Sequence, residues 1–321
     1  MRARQVAFCV LLLSGRFGSA VGQDLRPFIT QCASGGSAEL LTSCQRAVLA
    51  AQAMRGGIAI ADRMGASLSG SSSTIGKRLL SAPRVSVDVR LRMARFEMPD
   101  LLGGGTGAAG QNVVEAYGVK TSVAFGVLDG VSLMPTVGGL LSLDLLASAS
   151  LIFLGGSDGF LGNEGILSVG GRLGIFRESF SLPGVTVSVM QSFGQSLDWT
   201  AGVNGSQIDT DMSATSVRAI VGKDFFTLAV SGGMGWNWDR GGMGVQVPDP
   251  TIPGAQGIGS MNDLTTRRSV YFGGVSITRL VFQFSVEGGW AGGYEVLAGY
   301  PGAYDPGGVT PFVSVAGRLT I

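Results

Sequence analysis

The sequence predicts an all-β fold, a transmembrane antiparallel up-and-down β-barrel of about ten strands preceded by a short N-terminal helical segment. Three observations carry this expectation. Val85 to Met93 reads Val-Ser-Val-Asp-Val-Arg-Leu-Arg-Met, apolar at every odd position and polar at every even one. That is the period of a strand with one greasy face and one charged face, and the pattern recurs down the chain. Charged residues are only 14% of the 321, while hydrophobic residues are 45%; an ordinary soluble domain carries about 25% charged residues. Much of the surface therefore does not face water. Finally, no stretch has the roughly 18 to 20 uninterrupted apolar residues of a membrane helix. The best candidate, Leu140 to Leu154, places Ser142, Asp144, Ser148 and Ser150 at strand spacing. A membrane-like composition without a membrane helix points to a barrel, because only helices and closed barrels satisfy every backbone group in lipid.

The elements follow in order. Arg2 and Arg4, the apolar run Val6 to Leu13 and the small residues Gly18-Ser19-Ala20 have the layout of a secretory signal peptide covering residues 1–20. Residues 21–82 read as a periplasmic helical segment followed by a Ser/Gly-rich connector. Ser37 is a candidate N-cap, and Leu41, Cys44, Val48 and Ala51 fall at helical spacing. Gly56-Gly57 is expected to interrupt that helix. The segment could plug a barrel, cap its mouth or lie beside it. Cys32 and Cys44, the cysteines left after processing, are expected to form a disulfide in an oxidising compartment.

The barrel is assigned to residues 83–321. Its strands are expected near residues 84–98, 112–127, 138–154, 165–176, 184–199, 212–222, 225–238, 268–278, 280–294 and 309–321. Long Gly-rich loops near 99–111, 155–164, 199–211, 239–267 and 295–308 alternate with shorter joints. Outer barrels have long loops on one side and short turns on the other. An even strand count then places both chain ends in the periplasm. Trp199, Trp236, Trp238, Trp290 and Tyr294 fall near the long-loop strand ends, where an aromatic belt belongs.

These features together resemble bacterial outer-membrane β-barrel proteins as a broad class, over roughly Arg84 to Ile321. The resemblance is architectural. It implies an outer-membrane location in a Gram-negative cell and transfers no substrate or site residue. Such proteins commonly end in an aromatic residue, whereas this chain ends Gly317-Arg318-Leu319-Thr320-Ile321.

The chemistry available is limited. With no histidine in the chain, Ser-His-Asp and Cys-His hydrolysis cannot be assembled, so no enzyme and no cofactor is expected. Gly103-Gly104-Gly105 lacks the Lys-Ser or Lys-Thr of a phosphate loop. A net charge of +1 gives no support for nucleic-acid binding. Asp239, Asp249 and Asp263 match no calcium loop. The inward face is the expected functional surface. Strand parity assigns to it Arg84, Asp88, Arg90, Arg92, Lys120, Asp144, Arg172, Arg218, Glu287 and Arg318, a mildly cationic lining. An open lumen of that sign favours anions; a filled one would pair these charges internally, for example Arg90 or Arg172 with Glu287. About eight strands give an interior just filled by side chains, so ten leave at most a narrow path. The expected function is a narrow channel or binding barrel for a small anionic or amphipathic solute, set in outer-membrane lipid. Its alternatives are a closed structural or adhesive membrane protein and, less favoured, a histidine-independent lipid-modifying enzyme.

Overall fold

In the computed structural model, residues 24–76, 83–101, 110–131, 140–155, 163–179, 182–194, 197–200, 205–211, 213–294 and 302–321 are described. The expected signal peptide and the Gly103-Gly104-Gly105 loop lie outside them. Two helices come first, α1 (Arg26–Cys32) and α2 (Ala38–Arg63). The strands follow: β1 (Val85–Pro99), β2 (Gln111–Leu128), β3 (Ser142–Gly155), β4 (Asn163–Phe176), β5 (Gly184–Phe193), β6 (Leu197–Thr200), β7 (Gln207–Thr210), β8 (Ser213–Phe225), β9 (Leu228–Pro248), β10 (Gln256–Arg279), β11 (Phe282–Ala291) and β12 (Thr310–Thr320).

Neighbouring strands pair antiparallel, β12 pairs with β1, and β9 pairs with β10, which closes the sheet on itself. The short β6 and β7 pair with each other, and β7 lies on β9 directly above β8. They are upward extensions of β5 and β8, so the closed wall has ten staves. Closure leaves no strand edge along the paired length, and lipid requires this of any β structure. The fold is thus a transmembrane up-and-down barrel.

One mouth carries the start of β1, the end of β12 and the two-residue joints Phe226-Thr227 and Leu280-Val281; we call it the near mouth. At the far mouth the β9–β10 hairpin stands highest. The sequence assigned residues 239–267 to a loop, but most of them are strand. β9 continues to Pro248, β10 starts at Gln256, and only the turn between them is irregular. Alternation there is hidden by Gly241-Gly242 and by a register shift between Met261 and Leu264, where a bulge resets the side-chain parity.

The staves change character along their length. In β1, Val85, Val87, Val89, Leu91 and Met93 point outward, and Ser86, Asp88, Arg90 and Arg92 are buried inside. Past Met93 the alternation persists with its polarity exchanged. Arg95 and Glu97 point out, and Ala94, Phe96 and Met98 point in. The barrel therefore has a belt, greasy outside and polar inside, and above it a collar, polar outside and greasy inside. Trp236 and Trp238 mark the boundary with Arg267 stacked 5.3 and 5.5 Å from their rings, and Trp290 stacks on Tyr271 at 6.1 Å. These outward rings form the expected girdle. Trp199 and Tyr294 do not belong to it; they are 1% and 6% exposed and face the interior, because they lie in the collar.

Candidate functional site

The lumen is filled by the chain's own N-terminal segment. Helix α2 is a single run of 26 residues, about 39 Å long at 1.5 Å per residue. Its N-cap is Ser37, whose Oγ accepts from Leu40 N–H at 3.0 Å. Every residue from Ala47 to Arg63 is buried. Burial on all sides identifies an enclosed helix rather than a surface one, and the many alanines keep it slim enough for the lumen. The expected break at Gly56-Gly57 does not occur. A Cβ at Gly56 would overlap the Tyr294 hydroxyl, and one at Gly57 would overlap the Phe96 ring. These glycines are where the helix touches the wall, so close contact offsets their poor helix propensity.

The segment's two halves are seated differently. At the far mouth, α1 packs on β10, with Gly257 and Gly259 lying under Cys32 and Phe28. The Cys32–Cys44 disulfide ties α1 to α2; closing so short a loop stabilises by roughly 2–4 kcal/mol. Asp249, in the hairpin turn, accepts from Ser37 N–H at 3.1 Å and from Ser37 Oγ at 2.9 Å. Desolvation pushes the Asp249 carboxyl up, but hydrogen bonds from Thr251 and Ser37 together outweigh it and hold the group well below the usual carboxylate range. Below this latch, Leu49, Met54, Ile58 and Ile60 join collar residues such as Phe96, Val245, Leu264 and Phe312 in one apolar cluster.

Lower down the contacts are polar. Helix α2 ends at the top of the belt, where its last carbonyls carry the negative end of the helix dipole. Barrel cations meet them. Arg92 donates to Asp62 O, Lys120 Nζ to Asp62 O at 3.3 Å, and Arg218 Nη2 to Arg63 O at 2.7 Å. The Asp62 carboxylate lies 3.4 Å from Lys120 Nζ and 3.9 Å from Arg92, and accepts from Ser150 and Ser192 at 2.6 and 3.1 Å. Arg63 pairs with Asp239. The chain then descends as irregular backbone towards the near mouth. Ala66 N–H donates to Glu287, Ser69 Oγ to Asp88, Gln283 to Gly70 O and Ile75 N–H to Asp144.

The residues that parity assigned to the lumen divide as follows. Asp88, Arg90, Arg92, Lys120, Asp144, Arg172, Arg218 and Glu287 are buried inside the barrel. Arg318 is half-buried, and Arg84 is exposed at the near mouth. Arg90 lies 3.5 Å from Glu287 and 3.4 Å from Asp88, while Arg172 pairs with Asp144 at 2.7 Å rather than with Glu287. The cationic surplus is taken up by plug carbonyls. Arg90 donates to Ala66 O, Arg172 to Ser71 O, Arg318 to Ser69 O and Arg84 to Ile75 O, at 2.8, 3.4, 2.9 and 3.3 Å. Sequence reasoning missed the other half of this site, Asp62 and Arg63. Their signal was a charged pair closing the small, apolar stretch Gly56 to Ala61. Asp239, grouped with Asp249 and Asp263 in the sequence, instead faces Arg63; among the described residues no three or more Cys, Asp or Glu side chains cluster as metal ligands would.

This arrangement gives the path of the N-terminal segment. Of the positions the sequence left open for the segment of residues 21–82, the described residues 24–76 take the first, running through the lumen as a plug. Asp24, the first described residue, lies on the far-mouth side with α1, and Ile321 lies at the near mouth. The even number of staves does bring Val85 and Ile321 to one mouth, but α2 and the strip after it cross the lumen once more, and that odd crossing puts Asp24 at the other.

No protein-family model and no curated protein matches this sequence. Among solved structures, it is similar to the outer membrane protease OmpT from Escherichia coli (10% identity, TM-score 0.39), covering 78% of this chain and all of that one. The translocator domain of autotransporter NalP from Neisseria meningitidis gives 12% identity and a TM-score of 0.37, over 84% of this chain and 96% of that one. The CymD monoaromatic hydrocarbon channel gives 12% and 0.30, over 85% and 97%. At these values no activity, substrate or residue passes from them to this chain, and the fold rests on the closed, belted barrel itself.

Proposed function

We propose that this protein is an outer-membrane barrel shut at rest by its own N-terminal helix, a narrow channel that conducts when the lower plug shifts. It performs no covalent chemistry in this reading. The carrying observation is the seat of the α2 C-terminus. Asp62 and the last carbonyls are held by Arg92, Lys120 and Arg218, contacts that water or a solute can replace. Polar atoms without a protein partner among the described residues, including Oδ1 of Asp88, Oδ1 of Asp144 and Oε1 of Glu287, line the strip of plug below that seat. Buried groups of this kind take up water. A displaced plug would uncover an arginine-rich lining suited to a small anion. The far mouth, by contrast, is held by an apolar cluster, a disulfide and the Asp249 latch.

Planar-bilayer recordings of the full-length protein test this. The wild type is expected to stay closed, with rare brief openings. Arg92→Glu with Lys120→Glu sets two carboxylates against Asp62 and should raise open probability about tenfold or more, the effect of ~1.4 kcal/mol of lost seating energy. Heat-modifiable gel mobility checks that the variant barrel is folded. A folded variant that stays sealed removes the channel reading and leaves a closed scaffold presenting its collar, the reading favoured by the height of the β9–β10 hairpin. Steady wild-type conductance removes the plug.

A further inference from the structure

The near-mouth turns break the usual rule for two-residue hairpins. Phe225 pairs with Leu228 and Arg279 with Phe282, which leaves Phe226-Thr227 and Leu280-Val281 as the turns. The first residue of each has positive φ, 61° at Phe226 and 56° at Leu280. That position normally goes to Gly, Asn or Asp, because a bulky side chain crowds its own backbone there. Leu141, at φ 61°, adds a third case beside the start of β3 at the same mouth. Among the described residues the remaining non-glycine case is Asp263, a residue type that tolerates this conformation.

Three large apolar residues thus hold an unfavourable backbone at one mouth, and the protein does not bury them. Phe226 is 101% exposed and Leu280 97%. Strain of this kind persists where something outside the local structure offsets it. The two turns are neighbours, since Thr278 N–H, just before the second turn, donates to Thr227 O of the first at 2.8 Å. They also continue the lipid-facing belt. Leu228 and Phe282 are exposed at the base of the staves that carry Val230 and Phe284 outward.

We propose that these turns form an apolar rim immersed at the headgroup–acyl boundary of the near leaflet, where it fixes the depth of the barrel. This rests on the belted barrel and not on the channel reading. The test uses full-length Phe226→Cys and Leu280→Cys proteins, spin-labelled with the native disulfide intact, in phosphatidylethanolamine–phosphatidylglycerol vesicles. Accessibility to oxygen and to a nickel chelate is measured against labels at Phe284, in the belt, and Glu97, on the collar. The rim labels should behave like Phe284, with severalfold more oxygen than nickel access. In a Phe226→Asn/Leu280→Asn background, which suits the turn backbone and keeps the fold, a label at Val281 should gain nickel access severalfold. Rim labels that match Glu97 overturn the proposal. Labels open to nickel in vesicles but shielded in native membrane fragments also overturn it, and identify the occupant as a protein.

Discussion

In the belt, β1 turns Val89 and Leu91 outward and Arg90 and Arg92 inward; in the collar, the same strand turns Arg95 and Glu97 outward and Phe96 and Met98 inward. One backbone, one alternation and one barrel carry opposite polarities because the solvent changes along the strand. Where lipid surrounds the wall, apolar side chains face out, and polar ones can be placed only inside, paired with each other and with plug carbonyls. Where water surrounds it, the collar is built as a soluble barrel is, around an apolar core, and α2 supplies the middle of that core. The plug meets both regimes. Its upper half is fixed by apolar burial, a disulfide and the Asp249 latch, and its lower half by charge and backbone polarity.

The largest expected effect is inside the belt. Asp144→Ala leaves Arg172 buried without its carboxylate and should destabilise the barrel by about 3–5 kcal/mol, read as a shift in the urea midpoint of the protein in vesicles. Combining it with Arg172→Met should recover most of that loss; a double variant as unstable as the single one would mean that the pair is not the local reason for the cost.

The boundary between the two regimes is tested from outside. Val89→Arg, halfway along the belt, should cost about 2–4 kcal/mol, as a cation on the lipid face does near the midplane. Glu97→Arg, on the collar, should change stability by less than about 0.5 kcal/mol, as most surface substitutions do. Equal costs at the two sites would erase the distinction between belt and collar.

The smallest effect concerns the latch. The Asp249 carboxyl is held below its unfolded value of about 3.9 by hydrogen bonds that outweigh its desolvation. Its contribution is therefore complete above that value and is lost as pH falls through the lower folded one. Limited proteolysis between Cys32 and Cys44 should quicken only in strongly acidic buffer, and Asp249→Asn should remove that acid dependence while Asp263→Asn keeps it.

Much of this was legible in the residues. Val85 to Met93 announced a two-faced strand, and nearby segments of the same kind set the number of staves. The polarity exchange past Met93 was also present in Arg95, Phe96 and Glu97, but it reads as an exchange only once the outward face is known to leave the lipid. The upper parts of β9 and β10 were hidden by glycines and a bulge, which break the alternation that reveals strands elsewhere.

The sequence by itself determined which faces could meet lipid, because that depends on residue type at period two, a local property. It also determined that Cys32 and Cys44 were close enough along the chain to be bridged. Where the helix lies was decided by the tertiary structure alone. Gly56-Gly57 is a helix breaker in isolation and a contact point beside Phe96 and Tyr294. Asp62 is an ordinary charge at a helix end until β1, β2, β3 and β5 bring Arg92, Lys120, Ser150 and Ser192 around it. Those partners lie between 30 and 130 residues away in sequence, and only closure of the barrel brings them to one point.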